Sequence, residues 1–302
     1  MGKTPSTGYS RVEDELIDLA RYGSIYKTLI ERSEADPLGR LASRLNVWDV
    51  TTVFPLVLRL WAQVDLDDEE KEDCLEILLS FIVRRAVCNL TTKNYNKFFH
   101  SAVRHLDDNG WSRRELTNFL TIQDADTARF PTNEEFHRSW LFQPVYENLQ
   151  PSRVRFVLDC LEGSKRGKYQ EIINLGGDLS IEHVLPIEWR EHWPLEDGLR
   201  PADEDFAQAL YSSENEDTIA ARIFRRNRVL HTFGNLTLVT RPLNSSVRNS
   251  GFVAKRAALV EHSLLRLNQE ISQKEEWGEQ QIEERGKDLL SLALELWPYP
   301  DR

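Results

Sequence analysis

Two short runs read as β-strands in a chain whose other apolar residues recur at helical spacing. "LSIEHVLP" covers 179–186 and "GNLTLVT" covers 234–240, with a long polar insertion between them. A pair of strands this short needs a helix or a third strand to shield one face. The expected fold class is therefore mainly α with a small α+β element. The first half reads as helices. "VEDELIDLARYGSIYKTLIER" repeats apolar residues at Leu16, Leu19, Ala20, Tyr26, Leu29 and Ile30 and stops before Pro37. "EEKEDCLEILLSFIVRRAVCNL" predicts a more deeply buried helix, with acids at its start and Arg84 and Arg85 near its end, as the helix dipole prefers.

Further helices are predicted over Tyr95–Leu106, Ser112–Thr121 and Asn133–Gln143, the last capped within "NEEF" and stopped by Pro144. "PSRVRFVLDCLEG" opens another, with Pro151 in its first turn and Gly163 near its end. The domain boundary is placed there, giving a helical domain over 1–150 and a second domain over 151–302. A helical pair closes the chain, "SGFVAKRAALVEHSLLRLNQEI" and "EQQIEERGKDLLSLALELW".

The 302 residues, 40% hydrophobic and 29% charged, are those of a globular protein with two domains of ordinary size. Cys74, Cys88 and Cys160 are scattered, which argues against a disulfide framework or a cysteine-bound zinc and suits a reducing cytoplasm. The most apolar stretch, "VFPLVLRLWAQV", is too short for a membrane span and carries Arg59. The start lacks the apolar segment of a signal peptide and matches only a short, promiscuous myristoylation pattern through Gly2 and Ser6.

The net charge of −11 disfavours nonspecific nucleic-acid binding by the molecule as a whole. Its distribution is uneven. Acids crowd the stretch from Glu182 to Asp217, whereas Arg222 to Arg256 contains none and holds eight cations, among them Arg241, Arg248, Lys255 and Arg256. Either that run grips a polyanion or the two blocks neutralise each other.

Glu182 and His183 stand side by side inside an otherwise apolar run, with Pro186 behind them. Desolvating both is costly unless something pairs with them, so they form a structural ion pair or hold a metal or a proton. Adjacent strand residues point to opposite faces. If both serve one metal, the strand must bend or end there.

Following the second strand, "HTFGNLTLVTRPLNSSVRNSGFVAKR" runs through a turn at Arg241–Pro242, and Asn244 is expected just ahead of a helix. E-H-x-x-P on the first strand, an Asn on the second and an Asn at the helix resemble the His-Me finger, or HNH, nucleases. The longer pattern, with Trp277, Ile282 and Arg285 behind it, resembles the C-terminal nuclease domain of GmrSD-type restriction endonucleases from about Arg153 to Trp297. The resemblance implies a ββα-metal core embedded in helices. It also implies a metal-dependent DNA endonuclease or nickase of a bacterial restriction system, acting on modified or foreign DNA.

Carried over by position, the resemblance makes His183 the general base and Asn235 the residue that pins the loop orienting it. Glu182 and Asn244 become ligands of Mg2+ or Mn2+, and Arg241, Arg248, Lys255 and Arg256 phosphate contacts. Hard oxygen donors suit those ions and not zinc, and an imidazole is the natural proton acceptor near neutral pH. Many HNH enzymes have a His where Asn244 stands. The sequence contains no GxxxxGK[ST] loop, so the resemblance implies a sensor NTPase as an upstream domain or a separate subunit.

Each residue also has a plainer reading. Glu182–His183 would be a buried pair at a strand end, Asn244 a helix N-cap, and Arg248 and Lys255 part of a solvated helix face. His192 and His231 read as packing, as do Trp277, Ile282, Arg285 and Trp297. The competing function is a noncatalytic helical interaction module whose nuclease-like fold binds DNA or a partner; an RNA-directed nuclease would use the same chemistry.

Overall fold

The computed structural model describes residues 11–166, 179–195, 198–212 and 216–300; Gly2 and Ser6 lie outside them. The chain divides into two units, one of Met1–Val83, Leu90–Phe130 and Tyr299–Arg302, the other of Arg84–Asn89 and Pro131–Pro298.

The first unit contains α1 (Val12–Glu31), α2 (Pro37–Trp48), α3 (Phe54–Trp61), most of α4 (Asp68–Val87), α5 (Tyr95–Asn109) and α6 (Arg113–Thr121). Local chemistry sets their ends. Asp36 accepts the Gly39 amide ahead of α2, and Ser112 accepts that of Glu115 at the start of α6. Gly110, at φ 101°, closes α5 in a conformation that side chains avoid. Phe81 stacks on Phe98 at 5.1 Å, and Tyr95, Phe99, Phe119 and Phe130 pack around them. The apolar repeat in α1 does not all turn inward: Leu29 is buried, but Leu16, Leu19, Tyr26 and Ile30 are exposed.

The second unit contains α7 (Asn133–Phe142), α8 (Val145–Asn148), α9 (Pro151–Lys165), β1 (Leu179–His183), α10 (Asp203–Ala209) and α11 (Ile219–Leu230). It continues through β2 (Leu236–Thr240), α12 (Arg241–Val247), α13 (Phe252–His262), α14 (Arg266–Ser272) and α15 (Glu279–Leu296). Thr132, not Asn133, caps α7 by accepting the Glu135 amide. Arg84 does not simply complement a helix end. It is fully buried, donates to Pro131 O, Trp297 O and Asn133 Oδ1, and lies 4.5 Å from the Phe136 ring centre.

β1 and β2 pair antiparallel, with Glu182 opposite Thr237 and His183 opposite Leu236. The residues between them are not all loop, since α10 and α11 form there. Arg241 and Pro242 begin α12 instead of making a turn, so Asn244 lies inside that helix. Proline suits this first turn because its missing N–H has no intrahelical partner to lose. The first of the closing helices breaks at Ser263–Leu265 into α13 and α14. There the buried carboxylate of Glu162, on α9, accepts the amides of Arg266 and Leu267 and so caps α14. Val184, Leu185, Trp189, Ile223, Val239, Leu243, Ile271 and Trp277 belong to one apolar core around the hairpin.

Candidate active site

Asn235 is fully buried in a 3₁₀ turn, Phe233–Asn235, just ahead of β2. Its side-chain oxygen accepts from Leu185 N at 2.8 Å and Trp277 Nε1 at 3.2 Å. Its amide nitrogen donates to Leu185 O at 2.9 Å and Leu230 O at 2.8 Å. Every hydrogen-bonding position of the side chain is used. The bonds tie the chain after His183 to the end of α11. Arg285 of α15 braces the same turn from behind, its Nη1 donating to the carbonyls of Phe233, Gly234 and Leu236. Burial pushes that guanidinium down to about 10.

Glu182 and His183 both lie within β1, so their side chains leave opposite faces of the hairpin. His183 is 6% exposed and meets Tyr146 edge-on, with ring centres 4.5 Å apart. Its Nε2 lies 3.1 Å from Nδ1 of His231. His231 Nε2 lies 3.3 Å from Glu147 Oε1, and the His231 carbonyl accepts the Tyr146 amide. Burial, then the charges of His231 and Lys255, pushes His183 down to about 3; burial also lowers His231, against the pull of Glu147. His231 faces an open cleft of about 640 Å³ flanked by Phe142, Glu147, Trp189, Arg190 and Arg228.

His231 is therefore not mere packing, as its sequence context suggested. The signal was its place four residues before Asn235, beside the turn that is bonded to Leu185. Nothing local in the sequence marks Glu147, which reaches the site from α8.

On the other face, Lys255 of α13 donates to Glu182 Oε1 at 2.5 Å and to His183 O at 2.7 Å. Burial raises the Glu182 carboxyl and lowers the Lys255 ammonium, and each partner's charge opposes the shift. Lys255 is 2% exposed, which corrects its assignment to the phosphate-binding face: it is enclosed and already bonded. Asn244 donates to Ser180 Oγ at 3.0 Å and Ile181 O at 3.3 Å. Arg241 and Arg248 are exposed, and Arg256 is half-buried with its Nε on Ser272 O.

The two charge blocks partly neutralise each other, and acids outside them pair with some of the other cations. Arg222 pairs with Asp217 and Arg226 with Glu279.

Among the described residues, no group of three or more His, Cys, Asp or Glu side chains is gathered to hold a metal. The oxygens nonetheless fit a hard ion that keeps most of its water and takes one or two protein ligands. Glu182 Oε1 and the His183 carbonyl already cradle a cation, the Lys255 ammonium. Asn244 spends its amide nitrogen on the protein, which keeps its Oδ1 for a ligand. A divalent ion at Glu182 would have to share or displace Lys255.

A buried, hydrogen-bonded histidine at the end of a short antiparallel hairpin, pinned by an asparagine and backed by a second imidazole, has the parts of a proton-transfer site. The family model for the C-terminal domain of GmrSD restriction endonucleases matches residues 130–292, and the chain belongs to that family. No curated protein matches the chain.

Proposed function

We propose that this chain is the nuclease part of a restriction system, hydrolysing phosphodiester bonds in modified or foreign DNA through an HNH-type, ββα-metal site. The observation that carries the reading is the placement of His183: it ends a hairpin strand and is fixed by Asn235 through both polar groups of Leu185.

In this reading His183 accepts a proton from the attacking water. The water oxygen bonds to phosphorus, the bond to the leaving oxygen breaks, and that oxygen takes a proton from solvent. A ring held neutral this firmly is a weak base in the free protein. Negative charge on a bound phosphate would favour its protonated form. Glu182 and Asn244 Oδ1 would hold Mg2+ or Mn2+. Because Glu182 leaves the opposite face of the hairpin from His183, serving one phosphate together would require β1 to bend at that pair. When bound, the ion would offset charge on the phosphate and leaving oxygens. Exposed Arg241 and Arg248 would track the DNA backbone.

No helix among the described residues is long and apolar enough to cross a membrane. DNA as substrate and the absence of a disulfide among the described cysteines support a cytoplasmic site of action. The recognition step would belong to a sensor NTPase, as a further domain or a separate subunit.

The test is incubation of plasmid DNA with the purified protein in Mg2+, in Mn2+ and in EDTA, beside His183→Ala. The expected outcome is cleavage that EDTA abolishes and that falls by about 10²–10⁴-fold in the variant. Equal cleavage by parent and variant at matched circular dichroism would remove His183 from the chemistry.

A further inference from the structure

The histidine pair carries directional information that neither ring holds alone. A neutral imidazole has one N–H and one bare nitrogen, and the hydrogen bond at one end decides which is which. A carboxylate only accepts. Glu147 Oε1, 3.3 Å from His231 Nε2, therefore selects the His231 form protonated at Nε2 and bare at Nδ1. That bare Nδ1 faces His183 Nε2 at 3.1 Å. His183 must then donate from Nε2, which leaves its own Nδ1 bare. The carbonyl of His231 accepts the Tyr146 amide at 3.2 Å, tying the second histidine to the helix that bears Glu147.

We propose that Glu147 and His231 are positioning residues that fix the tautomer of His183 and keep its Nδ1 as the proton acceptor. The inference rests on the nuclease reading for its catalytic meaning, but the tautomer itself does not. His231 is the member of the chain nearer the cleft, with 15% of its side chain exposed. Holding the base in the wrong tautomer removes most of its use while leaving the fold unchanged.

The experiment uses the full chain with 15N-labelled histidine and two-bond 1H–15N spectra, which report the protonated nitrogen of each ring. In the unaltered protein, His183 and His231 should both be protonated at Nε2. In His231→Ala, His183 should populate both tautomers, and plasmid cleavage should fall about 10–100-fold in kcat with KM unchanged. His231→Gln, whose Oε1 accepts from His183 Nε2, should restore the single tautomer and much of the rate.

Should His231→Ala fail to fold, Glu147→Ala decides by the same spectra, because that side chain is 59% exposed. It should release the His231 preference and bring the Nδ1-protonated form of His183 into view. A proton on His183 Nδ1 in the unaltered protein, or a single unchanged tautomer in the Ala variants, overturns the inference. The spectra need no DNA. The expected tautomers in a protein that cuts nothing would support the inference and refute the nuclease reading; unchanged tautomers in a protein that cuts would do the reverse.

Discussion

Lys255 shows why residue type and position underdetermine a role. On sequence it belongs to an acid-free, cationic run and resembles a phosphate contact; in the fold its ammonium is buried against Glu182 Oε1 and His183 O. Removing one member of a buried pair strands the other charge, whereas replacing both costs far less. Lys255→Met should therefore cost about 3–5 kcal/mol in urea unfolding. The double variant Glu182→Gln/Lys255→Met should recover most of that loss; a double variant as unstable as the single one would show that the packing of the lysine stem, and not its charge, matters. The same carboxylate carries the metal proposal. Calorimetry should show Mn2+ binding that weakens in both Glu182→Gln and Asn244→Ala, and binding unchanged in both would move the ion elsewhere.

At the scale of elements, the hairpin is stabilised by what packs behind it. Asn268, buried on α14, accepts from Thr237 Oγ1 and donates to Leu238 O, so part of β2 is satisfied by a helix in place of a third strand. Gly234 is required by close approach: a Cβ there would run into the Ile282 carbonyl of α15. Gly234→Ala should destabilise by about 3 kcal/mol, the upper end for overpacking, because backbone has to move. A shift in thermal midpoint of under a degree would contradict this contact. Asn235 and Arg285 share the turn, so cleavage should fall along with stability. The sequence placed Gly234 and Asn235 in the second strand run, whereas they form the turn ahead of β2. Arg285 reads in sequence as packing because its partners lie about 50 residues away.

Across the second unit, burial separates enclosed cations from exposed ones. Arg226 is enclosed and bonded to Glu279, Trp193 O and Pro194 O, while Arg241 and Arg248 are exposed. Phosphate contacts release counterions, so the salt slope counts them. Arg241→Glu/Arg248→Glu should weaken DNA binding alike across sequences and reduce the slope of log affinity against log salt by about 2. An unchanged slope would place the DNA on another face.

Sequence by itself determined the helical character of the first half, the two strand runs and the family, because these rest on local periodicity and motif spacing. The family resemblance named His183 and Asn235 together, and the fold ties Asn235 to Leu185, two residues beyond that histidine. Only the tertiary structure decided that Lys255 turns inward, that α1 exposes much of its apolar repeat, and that His231 and Glu147 join His183. Such outcomes depend on which distant groups share a buried volume, where desolvation forces each polar atom to find a partner. Glu147 and His231 are separated by 84 residues along the chain and by 3.3 Å in space.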